Sequence, residues 1–277
     1  GIKKKTDYLK DIEIKEVIGS GSFGEVYRGI WKGSQQVALK KLKVDKMSEF
    51  LQEASMLQKC SFPNVVTFIG LYQDKEVLYM VTEYMSGGAL NTLLQNEGGS
   101  LSVKTLVEMA KEAVSGVQNM SNMGLVHRDL AARNLLVHKE DGKYIVKVAD
   151  FGLARHLTGN YYTSTTSMFP IKWSAPEVLK FEKFSAKSDV WSFGIVLWEI
   201  FELGSLPYRG MSNNEATEAV LGGYRLPKPN NCPDSVYSLM LKCWAAEASQ
   251  RPTFDQIYNT LHAILKTEDF AATPVIQ

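Results

Sequence analysis

One run of residues limits what this chain can become. Val190 to Phe201 reads VWSFGIVLWEIF, apolar on every side of a helix and interrupted by one acid, Glu199. The run is too short to cross a bilayer, which takes roughly 20 apolar residues. A helix that is apolar all round must instead lie in the middle of a large lobe. The chain can build one, since 277 residues with 45% hydrophobic content suffice for one big domain or two modest lobes. Charge indicates no long-range partner. Lys and Arg number 31 against 30 Asp and Glu, with both signs mixed, so no nucleic-acid partner is implied. Three cysteines, Cys60, Cys232 and Cys243, are an odd number without paired spacing. That argues against a disulfide framework and a zinc site and fits a reducing compartment. No signal peptide or membrane span is read, so the domain itself is expected to make no membrane contact. The first residue is Gly1 rather than Met, which fits a piece of something longer.

The pattern changes along the chain. Residues 11–42 alternate as strands do, with Ile12, Ile14, Val37 and Leu39 flanked by polar neighbours. Residues 46–59 read as a helix, with Phe50, Ala54 and Leu57 inward and Glu49, Gln52 and Lys59 outward. Strands are predicted near 65–72 and 77–83. Ser86-Gly87-Gly88 then reads as a loose junction between lobes. Beyond it, helices are predicted at about 88–95, 101–123, 175–180, 186–202, 213–222, 234–245 and 253–265. The expected class is α+β, with a small strand-rich lobe over 11–83, a hinge over 84–88 and a mainly helical lobe over 89–265. Residues 1–10 and 266–277 are flanking tails.

Three local features bear on chemistry. Residues 135–138 and 144–149 flank Asp141-Gly142, a hairpin signal. Asn134 and Asp150 lie eight residues either side of Gly142, so a hairpin closing there sets the two side chains together, as a hard cation such as Mg²⁺ requires. A polar pair capping a hairpin is the plain alternative. Gly19-Ser20-Gly21-Ser22-Phe23-Gly24 would let backbone N–H groups approach a phosphate. Glu25-Val26-Tyr27 continues as a strand rather than a helix, so a hairpin lid over a nucleotide fits better than a dinucleotide-binding turn. Lys40, sixteen residues after Gly24, would point under that lid from Val37-Ala38-Leu39-Lys40. Glu53 falls on the apolar stripe of its helix and needs a partner, because an unpaired buried charge is costly. Lys40 is the obvious one.

The glycine loop, Val37-Ala38-Leu39-Lys40, His127-Arg128-Asp129 with Asn134, Asp150-Phe151-Gly152 and Ala175-Pro176-Glu177 resemble, in order and spacing, the protein kinase signature set. The resemblance runs from about residue 14 to 265 and implies the bilobal protein kinase fold with ATP and Mg²⁺ (or Mn²⁺) as cofactors. It further implies that the glycine loop holds the phosphates and that Lys40, oriented by Glu53, pairs with the α- and β-phosphates. Asn134 and Asp150 would bind the metal. Asp129 would take the proton of the substrate hydroxyl. Ile18, Val26, Ala38 and Leu136 would wall the adenine, backbone near Glu83 and Met85 would bond its edge, and Thr82 would guard the back of the pocket. His127 and Phe151 are expected to hold structure, stacking with Leu57. Glu177 with Arg251, and Asp189, resemble anchors of the helical lobe. Leu135, Ala248 and Thr163 depart from the common pattern, and basic residues are missing from Thr163 to Met168.

Which hydroxyl is served is also written in the motifs. Serine/threonine kinases usually carry lysine two residues after the catalytic aspartate; here Ala131 stands there and Arg133 two further on. With Phe169-Pro170-Ile171-Lys172-Trp173 this resembles tyrosine kinases, non-receptor-like in having no span or long insert between the lobes. A phenol carries its hydroxyl further from the backbone, so a platform at Pro170 can support the ring while Arg133 donates to its oxygen. Partners are then tyrosine-containing proteins or peptides, acted on by a cytoplasmic monomer or by the cytoplasmic side of a receptor. Dual-specificity or Ser/Thr transfer remains an alternative. A pseudokinase scaffold would lack Lys40, Asp129 or Asp150, and all three are present.

The segment from Asp150 to Glu177 is rich in Thr, Ser and Gly and is expected to be mobile when unmodified. It carries Tyr161 and Tyr162, of which Tyr162 aligns better with the autophosphorylated residue of similar kinases. A phosphate there would pair with Arg128 and Arg155. Each charge-assisted bond is worth about 1.5–3 kcal/mol against about 1–2 kcal/mol per ordered residue, so a few can tip a nearly ordered loop but not fold one. Tyr162→Phe is therefore predicted to activate more slowly than the parent on preincubation with ATP; equal rates would remove the assignment.

Overall fold

The structure, a computed structural model, describes residues 7–21, 24–42, 47–149, 155–156, 162–163 and 169–270. Among these, Glu49, Phe50, Glu53 and the segments 155–156 and 162–163 are described by backbone alone. The first third forms β1 (Ile12–Gly21), β2 (Gly24–Trp31), β3 (Gln35–Lys41), α1 (Met47–Lys59), β4 (Phe68–Asp74) and β5 (Val77–Glu83). The strands pair antiparallel in the order β1-β2-β3-β5-β4. Alternation along β3 divides its side chains between two faces. Val37 and Leu39 are fully buried in a cluster with Ile12, Tyr79 and Val81. Ala38 and Lys40 turn to the other face, where register sets Ala38 beside Thr82 and Lys40 beside both Val26 and Met80.

The second part follows as β6 (Gly88–Ala89), α2 (Leu90–Glu97), α3 (Val103–Asn122), β7 (Leu125–Val126), β8 (Leu135–Glu140), β9 (Lys143–Val148), β10 (Arg155–His156) and β11 (Tyr162–Thr163). After them come α4 (Pro176–Phe181), β12 (Lys183–Phe184), α5 (Ala186–Phe201), α6 (Asn213–Leu221), α7 (Asp234–Cys243) and α8 (Phe254–Thr267). This is the two-lobed arrangement that the resemblance implies: an antiparallel sheet with one helix, then a helical lobe. The most apolar run becomes α5, and from Val190 to Phe201 every residue but Ser192 is buried. Its start is set by a capping box in which Ser185 and Ser188 each accept the other's backbone N–H. Among the described residues no helix is long and apolar enough to cross a membrane.

Two expectations change. Val65 and Val66 are extended as predicted but do not belong to the sheet. Val66 N–H donates to Val148 O (3.0 Å) and Val148 N–H to Asn64 O (2.8 Å), so this segment adds to β9 and ties the end of α1 to the helical lobe. Ser86-Gly87-Gly88 is no loose junction either. Gly87 N–H donates to Val137 O (2.7 Å), and Ser86 Oγ both donates to Lys139 O and accepts from Lys139 N–H, each at 2.9 Å. The glycines permit close approach to β8: a Cβ on Gly87 would lie 2.8 Å from Val137 O.

Glu112 of α3 supports β9 from beneath by accepting Val146 N–H (2.9 Å). Burial pushes its carboxyl up to about 7, the Val146 amide draws it back, and Glu108 adds repulsion. A carboxyl raised in the folded state stabilises through its protonated form. That contribution is complete below 4.5 and is lost as pH rises through about 7. Glu112→Gln is predicted to flatten the fall of the thermal midpoint between roughly pH 5 and pH 8. An unchanged slope in scanning fluorimetry would contradict this.

Candidate active site

The cleft between sheet and helical lobe has a volume of about 450 Å³. Its roof is Ile18, Gly19, Ser20, Val26, Ala38 and Lys40; its back is Thr82, Met80, Val66 and Leu57. Glu83 to Ala89 form the edge, and Arg133, Asn134, Leu136 and Ala149 the floor. The predicted walls Ile18, Val26, Ala38 and Leu136 thus face one space, brought there by strand alternation above and by β8 below. β1 and β2 close as a hairpin with Gly21 opposite Gly24, so the glycine stretch continues as a strand. Ser22 and Phe23 lie outside the described residues, as do Asp150, Phe151 and Tyr161. Lys40 is buried and reaches the cleft from β3. The side chain of its expected partner Glu53 is likewise outside the described set.

The hairpin of β8 and β9 differs in phase by half a residue from the prediction. Glu140 pairs with Lys143, leaving Asp141 (φ 50) and Gly142 (φ 75) as a two-residue turn. Positive φ at both is what the twist of a tight hairpin demands. The axis falls between Asp141 and Gly142, so Asn134 stands opposite Ala149 and accepts the Ala149 N–H at 3.0 Å. Asp150 is next in the chain.

The loop from His127 to Asn134 is held by hydrogen bonds at nearly every residue. His127 Nδ1 accepts Asp129 N–H (3.1 Å) and its Nε2 bonds Ala149 O (3.0 Å), so both ring nitrogens are engaged. His127 is therefore a strut, as expected. Arg128 adopts φ 71, a left-handed conformation that costs a non-glycine residue about 1–3 kcal/mol. Asp189 of α5 holds it there by accepting the N–H groups of His127 (2.7 Å) and Arg128 (3.1 Å). Burial raises Asp189 to about 6, with His127 and the two amides acting in the opposite direction. Asn134 Nδ2 donates to Asp129 O (2.8 Å), which leaves the amide oxygen as its group for a cation. Arg133 donates to Asp129 Oδ1 (2.7 Å), and its guanidinium lies 4.4 Å from the centre of the Trp173 ring.

Two interactions were not expected. Glu199, visible beforehand only as an acid in an apolar run, accepts Ala132 N–H (3.0 Å) and Trp173 Nε1–H (2.7 Å) on one oxygen. Burial pushes it up to about 7, against Trp173, the Ala132 amide and Arg133. Glu83 at the cleft edge receives Lys147 Nζ (2.8 and 3.0 Å) and Thr67 N–H (2.9 Å). Nothing in the alternation around Lys147 announces that pair. Glu177 and Arg251 form the expected anchor, a two-point ion pair at 2.7 and 2.8 Å. The backbone of Tyr162 pairs with Phe184, whose ring lies 4.3 Å from the Arg128 guanidinium. The side chains of Tyr162 and Arg155 lie outside the described residues.

A family model described as protein tyrosine and serine/threonine kinase matches residues 12–261. Among similar curated proteins, tyrosine protein-kinase src-1 of Caenorhabditis elegans is 45% identical over 254 residues, covering 90% of this chain and 48% of its own length. Tyrosine-protein kinase Fer of Mus musculus is 40% identical over 262 residues, covering 93% and 32%. The human Fer protein is 40% identical over 260 residues, covering 92% and 31%. The chain therefore spans half or less of the length of these relatives.

Docking of the edge segment on β8 is open to a direct test. Gly87→Ala is predicted to destabilise the fold by about 1–3 kcal/mol in urea titration, because its Cβ must displace Val137 or the strand. Unaltered stability would mean that the segment is not held as described.

Proposed function

The chain belongs to the protein tyrosine and serine/threonine kinase family, and on that premise we propose that it transfers the γ-phosphoryl group of Mg-ATP to tyrosine hydroxyls of proteins. The catalytic unit would span residues 11–265 and act as a cytoplasmic monomer. The observation that carries the tyrosine assignment is Arg133. It stands two residues after Ala131, which replaces the lysine usual in serine/threonine kinases, and is held between the Asp129 carboxylate and the Trp173 ring.

The chain's residues fit the two cofactors. Apolar walls above and below a cleft of about 450 Å³ suit a flat purine. The Glu83 N–H already donates to Thr67 O (3.0 Å), so Glu83 would offer its carbonyl to the adenine edge, and Met85 the next backbone group. Asn134, its nitrogen committed to Asp129 O, has an oxygen for a hard cation and would hold it with Asp150. When bound, Mg²⁺ (or Mn²⁺) offsets the charge on the phosphates.

Phosphoryl transfer needs positioning and charge stabilisation more than covalent help. Lys40, oriented by Glu53, would hold the α- and β-phosphates from β3. The glycine hairpin, Gly19 to Gly24, would cover the phosphates with backbone N–H groups. Asp129 would accept the tyrosine proton as the phenolic oxygen bonds to the γ-phosphorus and ADP leaves. Arg133 would steer both partners, holding Asp129 and donating to the phenolic oxygen. Autophosphorylation of Tyr162 would then order the segment between Asp150 and Glu177 through Arg128 and Arg155.

The test is incubation with Mg-ATP and a peptide carrying Tyr, Ser and Thr, followed by identification of the modified residue. Phosphotyrosine is expected. In Asp129→Asn, transfer is expected to fall by about 10²-fold or more while ATP affinity is largely retained. Phosphoserine alone would refute the acceptor assignment, and parental activity in Asp129→Asn would refute the base.

A further inference from the structure

β6 puts an alanine beside the place a nucleotide sugar would take. Ala89 pairs with Leu136, the floor residue beneath the base, and both line the cleft. The base would bond the edge at Glu83 and Met85, and the phosphates would lie between Lys40 and Asn134. The sugar joins base to phosphates, so it would fall next to Gly87-Gly88-Ala89, where Gly88 is exposed and Ala89 half-buried. Each polar side chain of edge and floor already has a partner or a task. The Glu83 carboxylate takes Lys147 Nζ and the Thr67 N–H. Ser86 Oγ both donates to and accepts from the Lys139 backbone. Tyr84 interacts with Arg28 of β2. Arg133 is held by Asp129 and Trp173, and the Asn134 amide nitrogen by Asp129 O. On the roof, Ser20 belongs to the hairpin assigned to the phosphates. Backbone donors are taken as well: Gly87 N–H by Val137 O (2.7 Å) and Gly88 N–H by Met85 O (3.1 Å).

A site that hydrogen-bonds a substrate hydroxyl rejects the analogue without it, because the site's own polar group is then left unpaired. A hydroxyl with only water and a methyl group beside it leaves nothing unpaired when it is removed. We propose that Ala89 sets the sugar specificity of the cleft: its methyl group leaves the ribose hydroxyls unread, so deoxyribonucleoside triphosphates of adenine serve as phosphoryl donors alongside ATP. The step itself is the same. The phenolic oxygen bonds to the γ-phosphorus, the bond to the β-phosphate oxygen breaks, the deoxynucleoside diphosphate leaves, and Asp129 takes the proton. The inference rests on the transfer reaction proposed above and widens its donor class.

The test measures transfer to a tyrosine peptide with Mg-ATP, Mg-2′-deoxy-ATP and Mg-3′-deoxy-ATP, and the binding of each nucleotide by calorimetry. Both deoxynucleotides are expected within about fivefold of ATP in kcat/KM and in Kd. A larger loss for either one overturns the inference. Ala89→Asp supplies the missing reader. Ala89 is the N-cap of α2 and offers it no side-chain bond, so one carboxylate oxygen can cap the helix while the other accepts a hydroxyl. Capping and the added charge act on all three nucleotides alike, so the ratio among them is the readout. Ala89→Asp is expected to favour ATP over at least one deoxynucleotide by about tenfold. Ratios equal to those of the parent remove Ala89 as the determinant. Transfer from ATP but from neither deoxynucleotide refutes the inference and leaves the reaction standing. If the parent transfers nothing from ATP, the proposed reaction fails and the binding constants decide the inference alone: agreement within about fivefold upholds it, and a wider spread refutes it. Binding of no nucleotide refutes both.

Discussion

Two buried carboxylates on one apolar helix hold the chemistry in place. Asp189 and Glu199 are ten residues apart on α5, about 15 Å along its axis. Asp189 accepts the N–H groups at the start of the HRDLAARN loop, and Glu199 accepts the one at Ala132. The loop is irregular, with Arg128 at positive φ, so it cannot satisfy these donors by helix or sheet pairing. Buried amides without partners would each cost about 1–3 kcal/mol, and the acids of α5 remove that cost. The apolar packing of α5 makes their position fixed. This is why the most hydrophobic element, remote from any ligand, determines where Asp129 and Arg133 point.

The cleft has a second support. Strand alternation in β3 sends Lys40 and Ala38 to one face and Val37 and Leu39 to the other, so the same seven residues build a core and the roof of the cleft. Roof and floor are then joined by backbone pairing at two places. Gly87 meets Val137 on the outer edge, and Val66 meets Val148 near the end of α1. Glu83 and Lys147 add an ion pair across the same gap, with side chains only 26% and 17% exposed. The two lobes are therefore stitched at the edge and at the back of the cleft, and between those stitches lie the residues that would touch ATP.

Periodic and local features were legible from the chain alone. Helices such as α3 and α5 lay within two residues of their predicted ends, because amphipathic or all-apolar stripes and Ser caps are local signals. The cleft walls Ile18, Val26, Ala38 and Leu136 came together as expected. Pairing across long separations was less legible. Val65-Val66 reads as part of a strand of the sheet, but its partner is Val148, and nothing nearby in sequence says so. Ser86-Gly87-Gly88 reads as flexible because glycine permits many conformations; contact with β8 selects one. The offset of the β8–β9 turn followed from turn geometry that a symmetric placing about Gly142 overlooks.

By itself the sequence determined the order of elements, the family and the identity of the residues with chemical potential, since spacing and side-chain type are carried along the chain. It also marked Glu199 as anomalous, an acid with no local partner in an apolar run. Only the tertiary structure decided what that acid does. Its two donors lie 67 and 26 residues away in the chain, and convergence on a single oxygen exists only once α5, the loop and the platform have packed. A hydrogen bond is satisfied in space, so a buried acid can be recognised in sequence as needing partners, while the partners themselves are chosen by the fold.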